Sequence, residues 1–449
     1  MLDDLPPVQR LIDAGEAAVR AARAAGADAA QADVDAGVSL SIGVRDGRLE
    51  DSSRAESEGL SLTVHVGQRS ASVSSADLSP ATLTQLAERA VAMARLAPED
   101  PYAGLAPAER LAGGEERALD LIDPAPPPTP EALRDMALAA EAAALGVAGV
   151  TLSEGAGAAA NVGTHALVTS HGFARAASAT GHMLSASVLA GPADAMQRDG
   201  DYASARFAAD LDAAEAIGRS AGERAVQKVA PVRVRSGAMP VVFSPRVASS
   251  LIGHIVSLMS APRIARKRSL FRGREGEALI ADEITLTDDP WRVRGLRSRN
   301  WDGEGVASVP TLLVDRGALG PWLTDAASAR QLGLPLTGHG GGGGGVSASN
   351  LIVAPGPRSF DALIGDIGEG LYVTELLGQG VDLVSGDYSR AVAGRRIVGG
   401  VLGEAFDGAT VAGNLLDMFA SLSAADDVDR RRSVHVPSLR CDALTVAGD

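Results

Sequence analysis

Apolar residues in the first part of the chain switch between helical spacing and the alternation typical of strands. Over residues 8–25 they recur at helical intervals and Gly26 follows as a stop, which predicts an amphipathic helix. Alternation over residues 27–44 predicts a strand, and Asp46-Gly47 indicates a hairpin turn into the next strand. The remaining predicted elements are a strand to about residue 53, strands at 59–66 and 70–75, and a helix at 81–96.

The following stretch repeats this pattern after a break. Prolines across residues 97–128 exclude long helices and strands there, so a domain boundary is predicted. A helix is predicted at 130–145 and another at 208–226. The strands between them are predicted at 150–158, 166–170, 173–180 and 182–189. Both halves then contain a helix, four strands and a helix, which predicts a duplicated α+β module.

Beyond residue 230 the pattern becomes rich in strands. A buried strand at 238–243 leads into a helix at 247–259, and strands separated by glycine turns follow from 285 to 448. Short helices are predicted at 322–332, 359–367 and 414–422. The predicted fold class is therefore α+β, with N-terminal α+β modules followed by a large β-rich C-terminal domain. The predicted domains span residues 1–115, 116–230 and 231–449.

Charge and composition narrow the functional classes. The net charge is −15, so a surface that binds nucleic acid is not expected. A basic run from Arg263 to Arg274 is either a solvated face or a surface for an acidic partner or a substrate carboxylate. Cys441 is the one cysteine, which excludes an internal disulfide. Neither a leader segment nor a long apolar span is apparent, so we expect a cytoplasmic protein without membrane contact.

The predicted helix at 247–259 carries one ionisable residue, His254. A zinc hydrolase uses such a helix to present two histidines one turn apart, with a glutamate beside the first. Here Ile255 follows the histidine, and Leu258 and Met259 occupy the position of a second ligand. One imidazole among aliphatic side chains cannot hold a metal ion. The sequence therefore predicts a core histidine, with no catalytic and no metal-binding residue in this chain.

Other polar residues are weaker candidates. Asp302 and Glu304 form a pair of acids that could act in acid–base chemistry, although such spacing is more typical of a turn. His339 precedes a glycine run at 340–345, which lacks the Lys-Ser/Thr of a phosphate loop and predicts a mobile surface loop. Asp387 lies in a similar turn. With His254, these residues are the candidates for lining a substrate chamber or facing a partner.

An ordered series of short motifs covers the C-terminal half. The motifs are Leu286-Thr-Asp-Asp-Pro290, Trp301-Asp-Gly-Glu-Gly305, Gly370-Leu-Tyr-Val-Thr-Glu375, Ser385-Gly-Asp-Tyr-Ser389, Val411-Ala-Gly-Asn-Leu-Leu-Asp417 and Leu444-Thr-Val-Ala-Gly448. This series resembles the TldD/PmbA family, and within it the PmbA (TldE) branch. The resemblance is weak before residue 230 and strong after it.

The resemblance implies a cytoplasmic metalloprotease system that processes small or unfolded peptides. In the TldD branch, the helix that corresponds to residues 247–259 carries His-Glu-x-x-x-His, and a later cysteine completes a zinc site. The first motif is lacking here, and nothing around Cys441 identifies it with that cysteine. The resemblance therefore implies a non-catalytic subunit that forms a heterodimer with a zinc-bearing TldD-type partner, or a homodimer when alone, with a peptide as substrate.

Two other functions stay open. An independent hydrolase with an unrecognised site predicts that His254, Asp302, Glu304, His339 and Asp387 gather in one cleft. A non-enzymatic binding protein, for example a regulator that contacts DNA gyrase, predicts that a pull-down recovers gyrase without a peptidase partner. The leading hypothesis instead predicts one wall of a peptide chamber, with a sheet edge offered to an extended peptide.

Overall fold

The computed structural model describes residues 5–442 and 444–448. Its N-terminal part is one six-stranded antiparallel sheet in the order β3-β2-β1-β4-β5-β6. The first half of this part contains α1 (Val8–Ala24), β1 (Ala29–Arg45), β2 (Arg48–Val66), β3 (Arg69–Ser75) and α2 (Pro80–Leu96). The second half contains α3 (Pro130–Leu145), β4 (Val150–Thr169), β5 (Ala174–Ala190), β6 (Gln197–Ala205) and α4 (Ala214–Gln227).

The prediction of four strands in each half is wrong, because each half has three longer strands. The polar residues 54–58 suggested a break, yet they continue β2 in unbroken register with β1. They lie at the exposed rim of the sheet, where no apolar alternation is needed to cover a core. In the second half, small residues carry β4 through the predicted gap after residue 158. Both halves nevertheless have the same element order, and β1 pairs with β4 to join them.

Helices cover one face of this sheet. Leu11, Leu83 and Leu86 pack with β1 and β2 in the first half, whereas Leu133 and Ile217 pack with β4 and β5 in the second. Helices α3 and α4 approach closely, because a Cβ on Gly218 would lie only 1.9 Å from the Ala140 carbonyl oxygen. The predicted domain limits cross this continuous sheet, and the domain division itself stays a prediction.

The C-terminal part is β-rich, as predicted, and contains two sheets. An eight-stranded sheet has the order β16-β18-β8-β13-β14-β15-β19-β7, and a five-stranded sheet has the order β11-β10-β9-β12-β17. The strands are β7 (Gly237–Ala238), β8 (Val241–Phe243), β9 (Leu286–Asp289), β10 (Thr311–Asp315), β11 (Ala318–Leu319), β12 (Asn350–Val353), β13 (Glu369–Leu377), β14 (Asp387–Val398), β15 (Val401–Asn414), β16 (Leu422–Ala424), β17 (Val434–His435), β18 (Leu439–Cys441) and β19 (Thr445–Ala447). The α+β fold class is therefore confirmed.

Five helices accompany these strands: α5 (Pro245–Leu258), α6 (Ala261–Ala265), α7 (Ala326–Leu332), α8 (Phe360–Ile364) and α9 (Leu415–Ala420). Helix α5 follows β8 directly and confirms the helix predicted there. Pro245 begins it, since a missing N–H is tolerated in a first turn. Its apolar face joins the largest core of the molecule, with Leu251 and Ile255 fully buried. None of the helices within the described residues is both long and apolar enough to cross a membrane.

Candidate functional site

A metal site was considered on helix α5. The side chains around His254 on this helix make other contacts instead. One turn before His254, the Ser250 hydroxyl donates to the Val247 carbonyl oxygen over 2.8 Å. One turn after it, Leu258 is fully buried in the core. The position next to the histidine is the buried Ile255. The helix therefore presents one imidazole, and neither neighbouring turn adds a second ligand.

His254 packs edge-on against Tyr388 of β14, with ring centroids 6.3 Å apart. Neither His254 Nε2 nor the Tyr388 hydroxyl has a hydrogen-bond partner in the described part of the chain, although both atoms are buried. Burial lowers the pKa of His254, and the nearby Arg390 lowers it further. Burial raises the pKa of Tyr388 to about 12. Both rings are therefore neutral at pH 7 and form a polar pair inside an apolar environment.

The donors near this pair do not fit a zinc ion. Zinc sites in proteins use at least three His, Cys or carboxylate ligands. The Cys441 thiol is buried and lies 3.3 Å from the Ser421 hydroxyl, on the strand beside β8. Across residues 5–442 and 444–448, no three His, Cys, Asp or Glu side chains come together as a metal site would require. No catalytic step through zinc is therefore assigned to this chain.

Asp302 is a structural acid with all its oxygens engaged. It is 2% exposed and accepts backbone hydrogen bonds from Glu304 and Val306 at 2.9 Å. Its other oxygen accepts from the Gly340 N–H at 2.7 Å. Burial raises its pKa, while these three donors and Arg299 oppose the rise. Asp302 thus closes its own turn and attaches the glycine run to it.

Glu304 projects from the same turn toward the start of α7. Its Oε2 accepts a hydrogen bond from the Ala326 N–H over 2.8 Å. Burial, together with the charge of Asp302, raises the pKa of Glu304 to about 8. The side chain is therefore mostly protonated at neutral pH. A carboxylic acid in this state is a feature of catalytic sites, but here it is held against a helix terminus and the backbone of Gly340.

His339 is buried in a polar network of its own. Its Nε2 lies 2.8 Å from Asp288 Oδ2, and both residues are at most 2% exposed. The other oxygen of Asp288 accepts from the Ser349 N–H at 2.8 Å and from the Ser349 hydroxyl at 2.7 Å. The remaining ring nitrogen, His339 Nδ1, lies 3.0 Å from the Thr337 hydroxyl. Each polar atom of this histidine has a partner, which indicates a structural role.

The glycine run at 340–345 was predicted to be a mobile surface loop, and the structure gives it fixed attachments. Gly340 accepts from the Gly303 N–H at 2.8 Å, and the Gly341 N–H donates to Gly345 over 2.9 Å. The Gly345 N–H donates to Asp325 Oδ2 at 2.8 Å. Glycine is needed at 340, because a Cβ there would lie 2.6 Å from Glu304 Oε2. The middle of the run is exposed as predicted, but both its ends are bound to buried acids.

The five candidate residues do not share one cleft. Asp302, Glu304 and His339 lie around the glycine run, where their oxygens and nitrogens are engaged within the chain. His254 packs against Tyr388 on a different element. The Asp387 side chain is exposed and accepts from the Ser385 hydroxyl at 2.7 Å, whereas the next residue, Tyr388, is buried. Since neighbouring residues of a strand face opposite sides, Asp387 points away from His254.

The site that sequence reasoning missed is a cavity of about 650 Å³ at the start of α5. It lies between α4, the first turn of α5, β13–β14 and the loop at 427–431. Six cationic and four acidic side chains line it: Arg224, Lys228, Arg246, Arg395, Arg430 and Arg431, with Asp199, Glu223, Asp427 and Asp429. These residues are more than 200 positions apart at the extremes of the sequence, so no local sequence motif indicates the cavity. The one available signal was the run Arg430-Arg431-Arg432.

Comparisons with known proteins agree with the order of these elements. Models of the PmbA/TldA metallopeptidase family match three segments: domain 1 at residues 32–94, the central domain at 123–229 and the C-terminal domain at 236–448. The chain is 32% identical to metalloprotease PmbA of Escherichia coli O157:H7, over 94% of this chain and 92% of that protein.

Solved structures give the same picture. A protein of Bacteroides thetaiotaomicron, whose name connects it with DNA gyrase, superposes with a TM-score of 0.90 at 26% identity, over 97% of this chain and 98% of that one. TldE of Thermococcus kodakarensis superposes with a TM-score of 0.83 over 97% of this chain and all of its own. At 20% identity, this second likeness shows the fold alone.

Proposed function

Because this chain belongs to the PmbA/TldD family of metallopeptidases, we propose that it is a PmbA/TldE-type subunit of a cytoplasmic peptidase and does not carry the catalytic zinc itself. The observation that carries the proposal is the composition of α5. A catalytic zinc ion needs three protein ligands and an open position for water. His254 is the one residue of this helix that could be such a ligand. In the next turn, Leu258 is buried in the hydrophobic core.

The zinc ion would then belong to a TldD-type partner, and this chain would form one wall of a chamber for small or unfolded peptides. An extended peptide binds most readily to an open strand edge, where main-chain hydrogen bonds require no particular sequence. Two strands, β3 and β6, end the six-stranded sheet, and β3 pairs only with the last part of β2.

The edge of β6 is closed to an added strand. Lys228 Nζ donates to the Arg198 carbonyl oxygen over 2.9 Å, and an Arg246 guanidinium reaches the Gly200 carbonyl oxygen. The outward N–H groups of Gly200 and Tyr202 are taken by the carboxylates of the preceding residues, at 2.7 and 3.0 Å. Side chains thus occupy the positions that a peptide backbone would need.

The first part of β2 supports the proposal better. Residues 48–57 are all exposed, and among the residues that the structure describes their backbone pairs with β1 on one side only, before β3 begins to pair at Leu60. The equivalent part of β5 is covered, since the Thr180 N–H donates to the Leu121 carbonyl oxygen at 2.9 Å. Residues 48–57 are therefore the open sheet edge that we propose for the substrate or the partner.

The first experiment measures metal content and activity. The chain is purified alone and together with its TldD-type partner, bound zinc is measured by mass spectrometry, and cleavage of an unfolded peptide is followed. We expect zinc and cleavage with the pair, and neither with the lone chain. A complex whose partner lacks its zinc ligands is the matched control and should be inactive. Stoichiometric zinc with peptide cleavage in the lone chain would refute the subunit role.

The second experiment locates the peptide. Hydrogen exchange of the complex, with an inactive partner, is compared with and without an unfolded peptide. We expect slower exchange of backbone amides in residues 48–57 and no change in β6, whose outward N–H groups are already bonded. Protection confined to β6 would contradict the assignment of the open edge.

A regulatory role is the second candidate, and the name of the Bacteroides thetaiotaomicron protein is the observation that favours testing it. A pull-down with this chain that recovers DNA gyrase and no peptidase partner would favour the regulator. An independent hydrolase finds less support, because the five residues proposed for it are divided between separate places.

A further inference from the structure

The cavity at the start of α5 contains a serine that does not form the hydrogen bond expected from its position. Ser244 is the N-cap of α5, yet its side chain makes no cap hydrogen bond. The residue is 5% exposed, it lines the cavity, and its Oγ lacks a well-formed hydrogen bond. The Tyr372 hydroxyl lies beside Ser244 and also beside Ser438. A buried hydroxyl in this state is a donor available to a ligand.

The backbone beside Ser244 adds a second donor. Pro245 has no N–H, and the first N–H groups that bond within α5 are those of Val247 and Ala248, which donate to Ser244. The Arg246 N–H therefore stays without a partner inside the helix. The start of a helix of this length carries a partial positive charge and favours anions. The cavity mouth thus combines the Ser244 hydroxyl, a helix terminus and a backbone N–H.

Two of the guanidinium groups lining the cavity are not neutralised by carboxylates. Arg395 donates to the carbonyl oxygens of Gly403 and Leu402, at 2.9 and 3.1 Å. Arg430 makes no ion pair with any described residue, and its titratable neighbours are Arg292 and His435, whose pKa is lowered to about 4 by burial and by the nearby arginines. By contrast, Arg431 pairs with Asp429 at 3.2 Å. The surplus positive charge at this side is therefore available to an anion.

The opposite side of the cavity has acids. Asp199 binds Lys228 at 3.0 Å and Arg246 at 2.6 Å, whereas Glu223 on α4 is exposed and makes no ion pair within the described chain. A lining of both signs suits a zwitterion better than a simple anion such as phosphate. Cavities of several hundred Å³ hold ligands of the size of a short peptide.

We infer that this cavity binds the C-terminal carboxylate of a peptide, between the Ser244 hydroxyl, the first turn of α5 and the guanidinium groups of Arg395 and Arg430. The inference rests on the proposed function, because it takes the ligand to be a peptide. It adds a place where the peptide end is held and a preference for free C termini. Glu223 and the residues around Asp199 would face the peptide N–H groups or a terminal amine.

The experiment uses the full chain alone, without zinc and without a partner. Calorimetry compares a short unfolded peptide that has a free C terminus with the same peptide as its C-terminal amide. We expect the acid to bind at least tenfold more tightly than the amide. Ser244→Ala and Arg430→Ala should each remove most of that preference. Arg89→Ala, which changes an exposed and unpaired arginine on α2, is the matched control and should leave it unchanged.

Inorganic phosphate is the second ligand in this experiment, and it tests whether the cavity is a general anion site. Phosphate that binds with the same dependence on Arg430, while peptide acid and amide bind equally, would show a general anion site and overturn the inference. Absence of binding for both peptides would also overturn it. Ser244→Ala should keep the thermal midpoint, so a loss of binding cannot be ascribed to unfolding. A negative outcome here leaves the zinc and cleavage experiments untouched, so the two proposals fail separately.

Discussion

The acids around the glycine run and the side chains along α5 are both polar groups inside the protein, but they differ in how they are satisfied. Asp302 has a hydrogen-bond donor for each of its oxygens, and so has Asp288. At α5 and on the facing strand β14, the buried atoms Ser244 Oγ, His254 Nε2 and Tyr388 Oη lack well-formed partners among the described residues. The acids around the glycine run are of the residue types found in catalytic centres, but their contacts show that they have a structural role.

The difference has a physical basis. A buried polar group without a partner is costly, by about 1–3 kcal/mol, so proteins keep few of them. Acids and histidines that are fully paired inside the chain therefore stabilise the fold. An unpaired buried group therefore needs a reason, such as a ligand or a water molecule that completes its bonding. We assign Ser244 to this kind, whereas the described residues offer no set of metal ligands around the His254–Tyr388 pair.

The largest expected effect is the loss of Asp302. Replacing it by alanine leaves the N–H groups of Glu304, Val306 and Gly340 without an acceptor in a buried turn. At about 1–3 kcal/mol for each orphaned donor, the free energy of unfolding should fall by about 5 kcal/mol. Chemical denaturation measures it. Asp387→Ala, an exposed acid, is the control and should change stability by less than about 0.5 kcal/mol. Equal effects of the two substitutions would remove the distinction between the regions.

The next effect concerns pH and Glu304. Its pKa of about 8 in the folded protein lies above the unfolded value, so the folded state holds a proton that the unfolded state releases. This contribution to stability is complete below pH 4.5 and is lost as pH rises toward 8. Glu304→Gln keeps an acceptor for the Ala326 N–H and has no proton to lose.

The variant should therefore gain stability relative to the parent as pH rises, by about 3 kcal/mol between pH 5 and 8. Thermal denaturation across this range tests it, with Glu16→Gln on the exposed face of α1 as the control. Parallel curves for parent and variant would mean that Glu304 is ionised throughout and that its turn is not a protonated structural contact.

An element of this fold can be predicted from the sequence when the residues that determine it are close together along the chain. Helix α5 was predictable, because apolar spacing and Pro245 define it within its own residues. The path of β2 through residues 54–58 was not, since an exposed rim leaves no apolar pattern. The fixed ends of the glycine run depend on Asp302 and Asp325, which are distant in sequence. Composition alone indicated mobility there.

The candidate site divides in the same way. The lack of a second ligand beside His254 follows from the neighbouring residues of the sequence, and the absence of a bound metal stays a prediction. The cavity at the start of α5 collects side chains from α4, β13, β14 and the loop at 427–431. Their proximity is a product of the tertiary fold, and charge counting along the chain could not show that Arg395 and Arg430 lack carboxylate partners.

A smaller effect tests whether a ligand completes the bonding of the His254–Tyr388 pair. Tyr388→Phe removes a buried hydroxyl that has no partner, so the protein should become about 1 kcal/mol more stable. Tyr372→Phe is the contrasting variant, because its hydroxyl lies beside Ser438 and should contribute to stability. Denaturation of both variants measures the difference. A Tyr388→Phe protein that is less stable than the parent would mean that something completes the bonding of this hydroxyl.

The smallest effect is expected at His254 itself. Because its imidazole is neutral, half-buried and packed against Tyr388, His254→Leu should change the free energy of unfolding at pH 7 by less than about 1 kcal/mol. Peptide cleavage by the complex with the TldD-type partner should stay within about twofold, since no reacting atom depends on this ring. A tenfold fall in cleavage with unchanged stability would place His254 in the chemistry after all.

The pH dependence of the stability of His254→Leu tests the environment of His254 independently. The pKa of His254 is lowered by burial, so protonation favours the unfolded state, and the parent loses stability relative to His254→Leu as pH falls below about 6.5. His165 is the matched control of opposite sign. Although burial opposes it, the hydrogen bond to Asp35 at 2.9 Å raises the pKa of His165. The parent should therefore gain stability relative to His165→Leu as pH falls toward about 6.5, and this gain is complete below that value. Opposite slopes would show that His254 is a buried neutral ring without an acidic partner, whereas equal slopes would require a carboxylate beside it and reopen the question of a site on α5.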